Sequence, residues 1–226
     1  GKSGIAGSIS INGDTGQIKI NGIDLDVDDM ESVNINTNVN TGCVEGSGVS
    51  KTEKREVTSF SSIDIDGVFD VKIECQREKS VKITTDDNIL PHIITKVKGE
   101  TLYLTSNRSI CPKVQLVADI TIDNIRKIST SGTNDIFIFG VNNKELAMDL
   151  DGTGDVRASG KTDEFITSIT GSVDIDAKGL KSKEARVSIS GTADATVYAS
   201  RKLHVQISGV GDVSYYGNPG KVTKDI

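Results

Sequence analysis

The sequence predicts an all-β protein, a single-stranded right-handed parallel β-helix (a solenoid) with coils of about 20 residues. Three observations carry that prediction: a short motif recurring at a fixed spacing, apolar residues alternating at period 2 on both sides of it, and a strand-and-turn composition. Of 226 residues, 23 are Gly and 3 are Pro; Trp is absent and aromatics make up 4%. Ile, Val, Thr, Ser, Asp and Asn, the residues of pleated strands and tight turns, fill most of the rest.

The motif is polar-Gly-x-x-Asp-aliphatic. It occurs as SGTNDI (131–136), DGTGDV (151–156), TGSVDI (170–175), SGTADA (190–195) and SGVGDV (208–213). The glycines, Gly132, Gly152, Gly171, Gly191 and Gly209, are 20, 19, 20 and 18 residues apart. Before the last four stand three mostly apolar columns: Leu150, Ile169, Ile189 and Ile207; Met148, Thr167, Val187 and Val205; and Leu146, Phe165, Ala185 and Leu203. After the glycines come two more, Ile136, Val156, Ile175, Ala195 and Val213, then Ile138, Ala158, Ala177, Val197 and Tyr215. Alternation at period 2 is the strand signature. Gly140, Gly160, Gly179, Ala199 and Gly217 mark a second corner.

One such repeat has too few apolar residues to bury its own face, so neighbouring coils have to stack. At about 4.8 Å per coil, like residues form ladders and the five columns become a continuous interior. Right-handedness follows from the crossover preference. A β-propeller needs about forty residues per blade, twice this period; a sandwich with two strands per repeat stays open.

Upstream, IDIDGVFDVKI (63–73) carries the motif once more around Gly67, 65 residues before Gly132 and close to three periods away. Degenerate coils are therefore expected in 80–105 and 113–125, with DNILPHI (87–93) as a turn or helical kink ended by Pro91. The alternating stretch 7–27 reads as strands of its own, a capping hairpin or an extra coil, and 36–52 reads as a polar Gly/Ser/Asn linker. The expected organisation is an N-terminal cap and linker over 1–53 and the β-helix over 54–226. The closing GNPGKVTKDI (217–226), with Pro219 and two lysines, suits an end that discourages edge-to-edge pairing.

A formal charge of −6 and sparse aromatics argue against nucleic acid. No apolar run approaches eighteen residues, so no transmembrane segment is expected, and Gly1-Lys2-Ser3-Gly4 lacks a signal peptide's apolar core. Cys43, Cys75 and Cys111 have neither CxxC spacing nor a nearby His, which disfavours zinc. In an oxidising compartment Cys75 and Cys111 could pair between neighbouring coils and leave Cys43 odd; the alternative is three small, partly buried residues.

The aspartate column Asp135, Asp155, Asp174, Asp194 and Asp212, with Asp70 upstream, offers stacked carboxylates that could hold calcium. Carboxylates at coil spacing repel one another, however, and an Asp three residues after a turn Gly commonly accepts backbone N–H groups. The structural role is the expectation, and no cofactor is required. Polysaccharide lyases and hydrolases need clustered carboxylates and basic groups. Asp86-Asp87, Asp149/Asp151 and Asp174/Asp176 are the near-neighbour pairs, each expected on a solvated turn or strand face. His204 should point outward, and His92 falls in the irregular segment. Phe137, Phe139, Tyr198 and Tyr216 have outward parity and could form an aromatic strip for a glycan or a partner subunit, whereas Tyr215 lies in an inward column.

KREVTSFSSIDIDGVFDVKI (54–73), SVKITTDDNILPHIITKVKGETLYL (80–104) and the SG-x-x-D-aliphatic repeats together resemble the auto-transporter adhesin head GIN domain family of bacterial cell-envelope proteins. The resemblance covers roughly 54–218; Cys75, where a second-corner Gly would fall, and residues 1–53 depart from it. It implies a β-helical domain outside the cell or in the periplasm of a Gram-negative bacterium, and it transfers no catalytic or binding residue. The expected function is thus a non-catalytic, adhesin-like module presenting an extended surface to a surface glycan or protein. A carbohydrate-active enzyme, or a structural spacer forming homo-oligomers, is the alternative.

Overall fold

The computed structural model describes residues 9–12, 17–20, 23–25 and 42–225. The chain divides into two units, Gly1–Thr41 and Gly42–Ile226. In the first, β1 (Ile9–Asn12), β2 (Gln17–Ile20) and β3 (Ile23–Leu25) form an antiparallel meander. These three strands fall within 7–27. Residues 36–41 of the expected linker lie outside the described residues, while 42–52 are part of the second unit.

That unit is all-β apart from a short 3-10 turn, Leu90–His92. Its strands are β4 (Val44–Glu45), β5 (Ser50–Arg55), β6 (Ser62–Cys75), β7 (Ser80–Asp86), β8 (Ile93–Lys98), β9 (Thr101–Ser106), β10 (Ile110–Cys111), β11 (Val117–Ile122), β12 (Lys127–Leu150), β13 (Thr153–Ile169), β14 (Ser172–Ile189), β15 (Ala195–Ile207), β16 (Val213–Tyr216) and β17 (Lys221–Asp225). Twelve of them make one mixed sheet, ordered β16-β15-β14-β13-β12-β6-β11-β7-β5, with β17 beside β15, β9 beside β6 and β8 beside β9.

From β12 to β17 every pairing is parallel and in the register set by the sequence columns. Leu146 lies beside Phe165, Phe165 beside Ala185 and Ala185 beside Leu203; Leu150, Ile169, Ile189 and Ile207 follow one another in the same way. All five columns are buried through β14, and on β15 every member but Ile207 is buried. Only the last members change: Val213 and Ile207 are half-buried, and Tyr215, expected inward, is 42% exposed because no further strand covers it. A sixth inward column escaped the sequence reading, Phe69, Asn134, Val173 and Ala193, two positions after their glycines. At the second corner the ladder slips register, between Ile138 and Val141 and again between Arg157 and Ser159. Polar side chains serve the backbone there: Asn143 donates to the Ile125 carbonyl at 2.6 Å, and Ser200 to the Ser182 carbonyl at 3.2 Å.

The first-corner glycines form a column because nothing else fits. A Cβ on Gly132, Gly152, Gly171, Gly191 or Gly209 would stand 1.9–2.2 Å from the carbonyl oxygen of the glycine one strand below. Real Cβ atoms do not approach that closely, so the absence of a side chain is what lets these strands stack.

The N-terminal half corrects the sequence reading. Gly67 and Gly132 are direct register neighbours, although 65 residues separate them. The intervening chain does not stack as three coils between them. Its strands β9 and β11 lie on the opposite side of β6, in parallel, while β7 and β8 run antiparallel to their partners. Pro91 sits in the first turn of the 3-10 segment, where its fixed φ suits the turn, instead of ending it. Segment 42–55 supplies β4, parallel to β10, and β5, antiparallel to β7.

The cysteine pairing is corrected for the same reason. Cys111 is bonded to Cys43, with Cα atoms 5.7 Å apart, and Cys75 is a free buried thiol that burial pushes up to about 11. Cys111 lies on β10, which pairs with β4 instead of stacking on β6, so it never reaches Cys75.

Asp86 is the second correction. Instead of a solvated turn residue it is fully buried, and its carboxylate accepts the backbone N–H groups of Gly48 (2.6 Å), Lys113 (2.9 Å) and Val114 (2.9 Å). Burial alone would raise its pKa, but the N–H donors outweigh burial and hold it below the usual carboxylate value. Its neighbour Asp87 is exposed and accepts from the Ser47 hydroxyl at 2.5 Å. One carboxylate therefore ties together the two segments that the Cys43–Cys111 bond also joins.

Candidate functional site

Two concave regions compete. The larger is a cleft of about 880 Å³ walled by the segments around Phe60, Lys79, Asp123, Arg126 and Lys144. Its rim mixes signs, and most of its basic groups are occupied. Arg126 is bound to Glu100 and the Ser61 hydroxyl, Arg77 to Glu74 at 2.8 Å, and Lys79 to the Val57 carbonyl at 2.6 Å. The carboxylates that burial pushes upward, Asp64 and Asp70, belong to β6 and do not line this cleft.

The second is a shallow trough on the outer face of β12–β16, made of two adjoining hollows of about 300 and 330 Å³ that share Arg157, Asp176 and Lys178. It is built by the same register that builds the core. Every residue between two buried columns faces outward, so outward residues also line up across strands. One row runs Lys72, Phe137, Arg157, Asp176, Thr196, Ser214. The next ends with Tyr198 beside Tyr216.

The four aromatic residues singled out in the sequence share this face but fall in two pairs, Phe137 and Phe139 on β12 and Tyr198 beside Tyr216 on β15 and β16. Phe137 is 37% exposed and Tyr216 56%, while Phe139 and Tyr198 are half-buried. Three of the rings carry a cation: Arg157 over Phe137 and Lys72 over Phe139, each 5.6 Å from the centroid, and Lys181 over Tyr198 at 4.0 Å. Each such contact at an exposed site contributes about 0.5–1 kcal/mol. Asp176 is held below the usual carboxylate range, first by its bond with Lys178, whose ammonium is 3.0 Å away, and also by Arg157.

The aspartate column edges the trough. Asp135 accepts the N–H of Asp155 at 3.0 Å, Asp174 that of Asp194 at 3.0 Å, and Asp194 that of Asp212 at 3.1 Å. At three of the four steps of the column, one carboxylate oxygen thus ties down the backbone of the next repeat. Burial raises the pKa of Asp70, and Asp135 beside it pushes the same way, while an amide bond from Gln115 opposes both. Among the described residues no three His, Cys, Asp or Glu side chains gather where a metal ion could be held. His92 faces Asn107 at 3.1 Å and His204 faces Asp225 at 3.8 Å; neither lines the trough. Of the remaining carboxylates, Asp149 pairs with Lys127 at 2.6 Å.

Residues 59–219 match the family model described as "Putative auto-transporter adhesin, head GIN domain". Among solved structures, a "putative adhesin" of Bacteroides fragilis superposes with a TM-score of 0.66 at 22% identity, over 80% of this chain and 95% of that one. A "putative lipid binding protein" of Parabacteroides distasonis (TM-score 0.49, 19% identity) and a "putative adhesin" of Parabacteroides merdae (0.46, 15%) are more distant; each aligns over 80% of this chain and over 96% and 99% of its own. At these identities the likeness concerns the fold. The chain has no match among curated proteins.

Proposed function

The chain belongs to the auto-transporter adhesin head GIN domain family, and from that premise we propose that it is a non-catalytic, adhesin-like module of the bacterial cell envelope that binds a surface glycan or protein through the β12–β16 trough. The observation that carries the reading is the trough itself. Exposed and half-buried rings, three of them beneath cations, lie among charged groups on one sheet face.

The parallel register supports winding of β12–β17 as a right-handed parallel β-helix. Leu150 ends β12 only three residues before Thr153, which pairs back to Thr133 in the same strand. The Cys43–Cys111 bond, closing a separation of 68 residues, suits an oxidising compartment such as the periplasm or the cell exterior. No helix among the described residues is long and apolar enough to cross a membrane.

The 880 Å³ cleft favours a second reading, a carbohydrate-active enzyme, because Asp123 and Glu145 share it with Arg and Lys side chains. The ties already holding Arg77, Lys79 and Arg126 weigh against it.

Passing the protein over immobilised bacterial and host polysaccharides and surface proteins, while scoring chain cleavage, separates the readings. We expect retention without cleavage, and loss of retention in Tyr216→Ala. Cleavage of any polysaccharide, or undiminished retention of the variant, contradicts the proposal.

A further inference from the structure

We infer that the trough takes a linear, neutral polysaccharide lying across the strands, with about one sugar per strand. The inference rests on the binding role proposed for that face and specifies the class and orientation of its ligand.

The direction comes from the rows. The trough follows the stacking direction, from Phe137 and Phe139 on β12 to Tyr216 on β16. Five strands at about 4.8 Å give it a length of about 19 Å. Rings stand at both ends, and the polar groups Arg157, Asp176 and Lys178 lie between them. That order suits a long ligand touching an aromatic surface at each end and hydrogen-bonding groups in the middle. An extended β-linked polysaccharide advances per sugar by nearly one strand spacing, so successive sugars meet equivalent positions of successive strands.

The charge selects the class. The larger hollow holds Asp155, Asp174, Asp176 and Asp194 against Arg157 and Lys178, four carboxylates to two cations and hence a net −2. Such a surface repels uronates and sulfated sugars, while its carboxylates accept hydroxyl groups. An extended peptide is the weaker fit. β12, β13, β14 and β15 each have a neighbour on both sides, so beneath most of the trough there is no free strand edge for a peptide to extend.

The test is isothermal titration with neutral β-linked gluco-, manno- and galacto-oligosaccharides of one to six units, with alginate and heparin fragments as acidic controls. For the series that binds, affinity should rise with each added unit and level off near five, about one unit per strand. Tyr216→Ala and Phe137→Ser should each weaken the five-unit ligand about three- to tenfold, as loss of one stacked ring requires; Tyr216→Ala should leave the melting temperature nearly unchanged, and Phe137→Ser should lower it by a few degrees through loss of the Arg157 contact. If a single sugar binds as tightly as five, the orientation is overturned and glycan binding stands. If only alginate or heparin binds, the neutral class is overturned and glycan binding again stands. If no glycan binds, the ligand class falls, and a surface protein retained through Tyr216 would leave the broader binding role intact.

Discussion

The carbonyl oxygen of Gly171 lies 1.9 Å from where a Cβ on Gly191 would stand. A methyl group has nowhere to go there, because the obstacle is backbone. Gly191→Ala should therefore cost about 3 kcal/mol or more, the upper range for overpacking. Gly99, at φ +62° with open space around it, gives the control: Gly99→Ala should cost only about 1–2 kcal/mol, the left-handed penalty alone. Urea midpoints of the two variants check this, and equal losses would contradict the close stacking.

Phe165 and Tyr215 lie in inward columns of the repeat, but one is buried and the other is 42% exposed on the last strand. Phe165→Ala should lose about 3–5 kcal/mol. Tyr215→Ala should lose well under half of that, so the thermal shifts should differ several-fold.

The Cys43–Cys111 bond closes a loop of 68 residues and should contribute about 4 kcal/mol through the unfolded chain. Reductant, or Cys43→Ser, should lower the urea midpoint accordingly. Peptide mapping without reduction should recover the 43–111 pair, with Cys75 labelled by thiol reagent only after unfolding.

Asp86 sets an acid limit. Its pKa is lower in the folded than in the unfolded chain, so the stability it provides is fully present above about pH 4, the unfolded value, and is lost as pH falls through the folded value. Asp86→Asn should flatten that part of the stability–pH curve. The amide protons of Gly48, Lys113 and Val114 should exchange faster in the variant, since they lose a charged acceptor.

The half of the fold after Lys127 was legible in the sequence because a single register repeats. Leu146, Phe165, Ala185 and Leu203 stand at one position of the repeat and lie side by side in the sheet. The same parity placed Phe137 and Tyr216 on the outer face. Before Lys127 that logic fails. Gly67 pairs with Gly132 although β7 to β11 come between them in the chain, and no local pattern tells which side of β6 a later strand takes. Hence the expected coils in 80–105 and the Cys75–Cys111 pair were wrong. Asp86 could not be told from Asp87 either: its role depends on N–H groups 27, 28 and 38 residues away. The 880 Å³ cleft, assembled from four separate segments, leaves no trace in any one of them.

The placement of the binding site is tested most directly by amide chemical-shift mapping of the labelled protein as a retained polysaccharide is added. We expect the shifts to cluster at residues 135–139, 155–159, 174–178, 194–198 and 212–216, one group on each strand under the trough. Shifts gathered instead around Phe60, Lys79, Asp123 and Lys144 would move the site to the cleft and contradict the assignment.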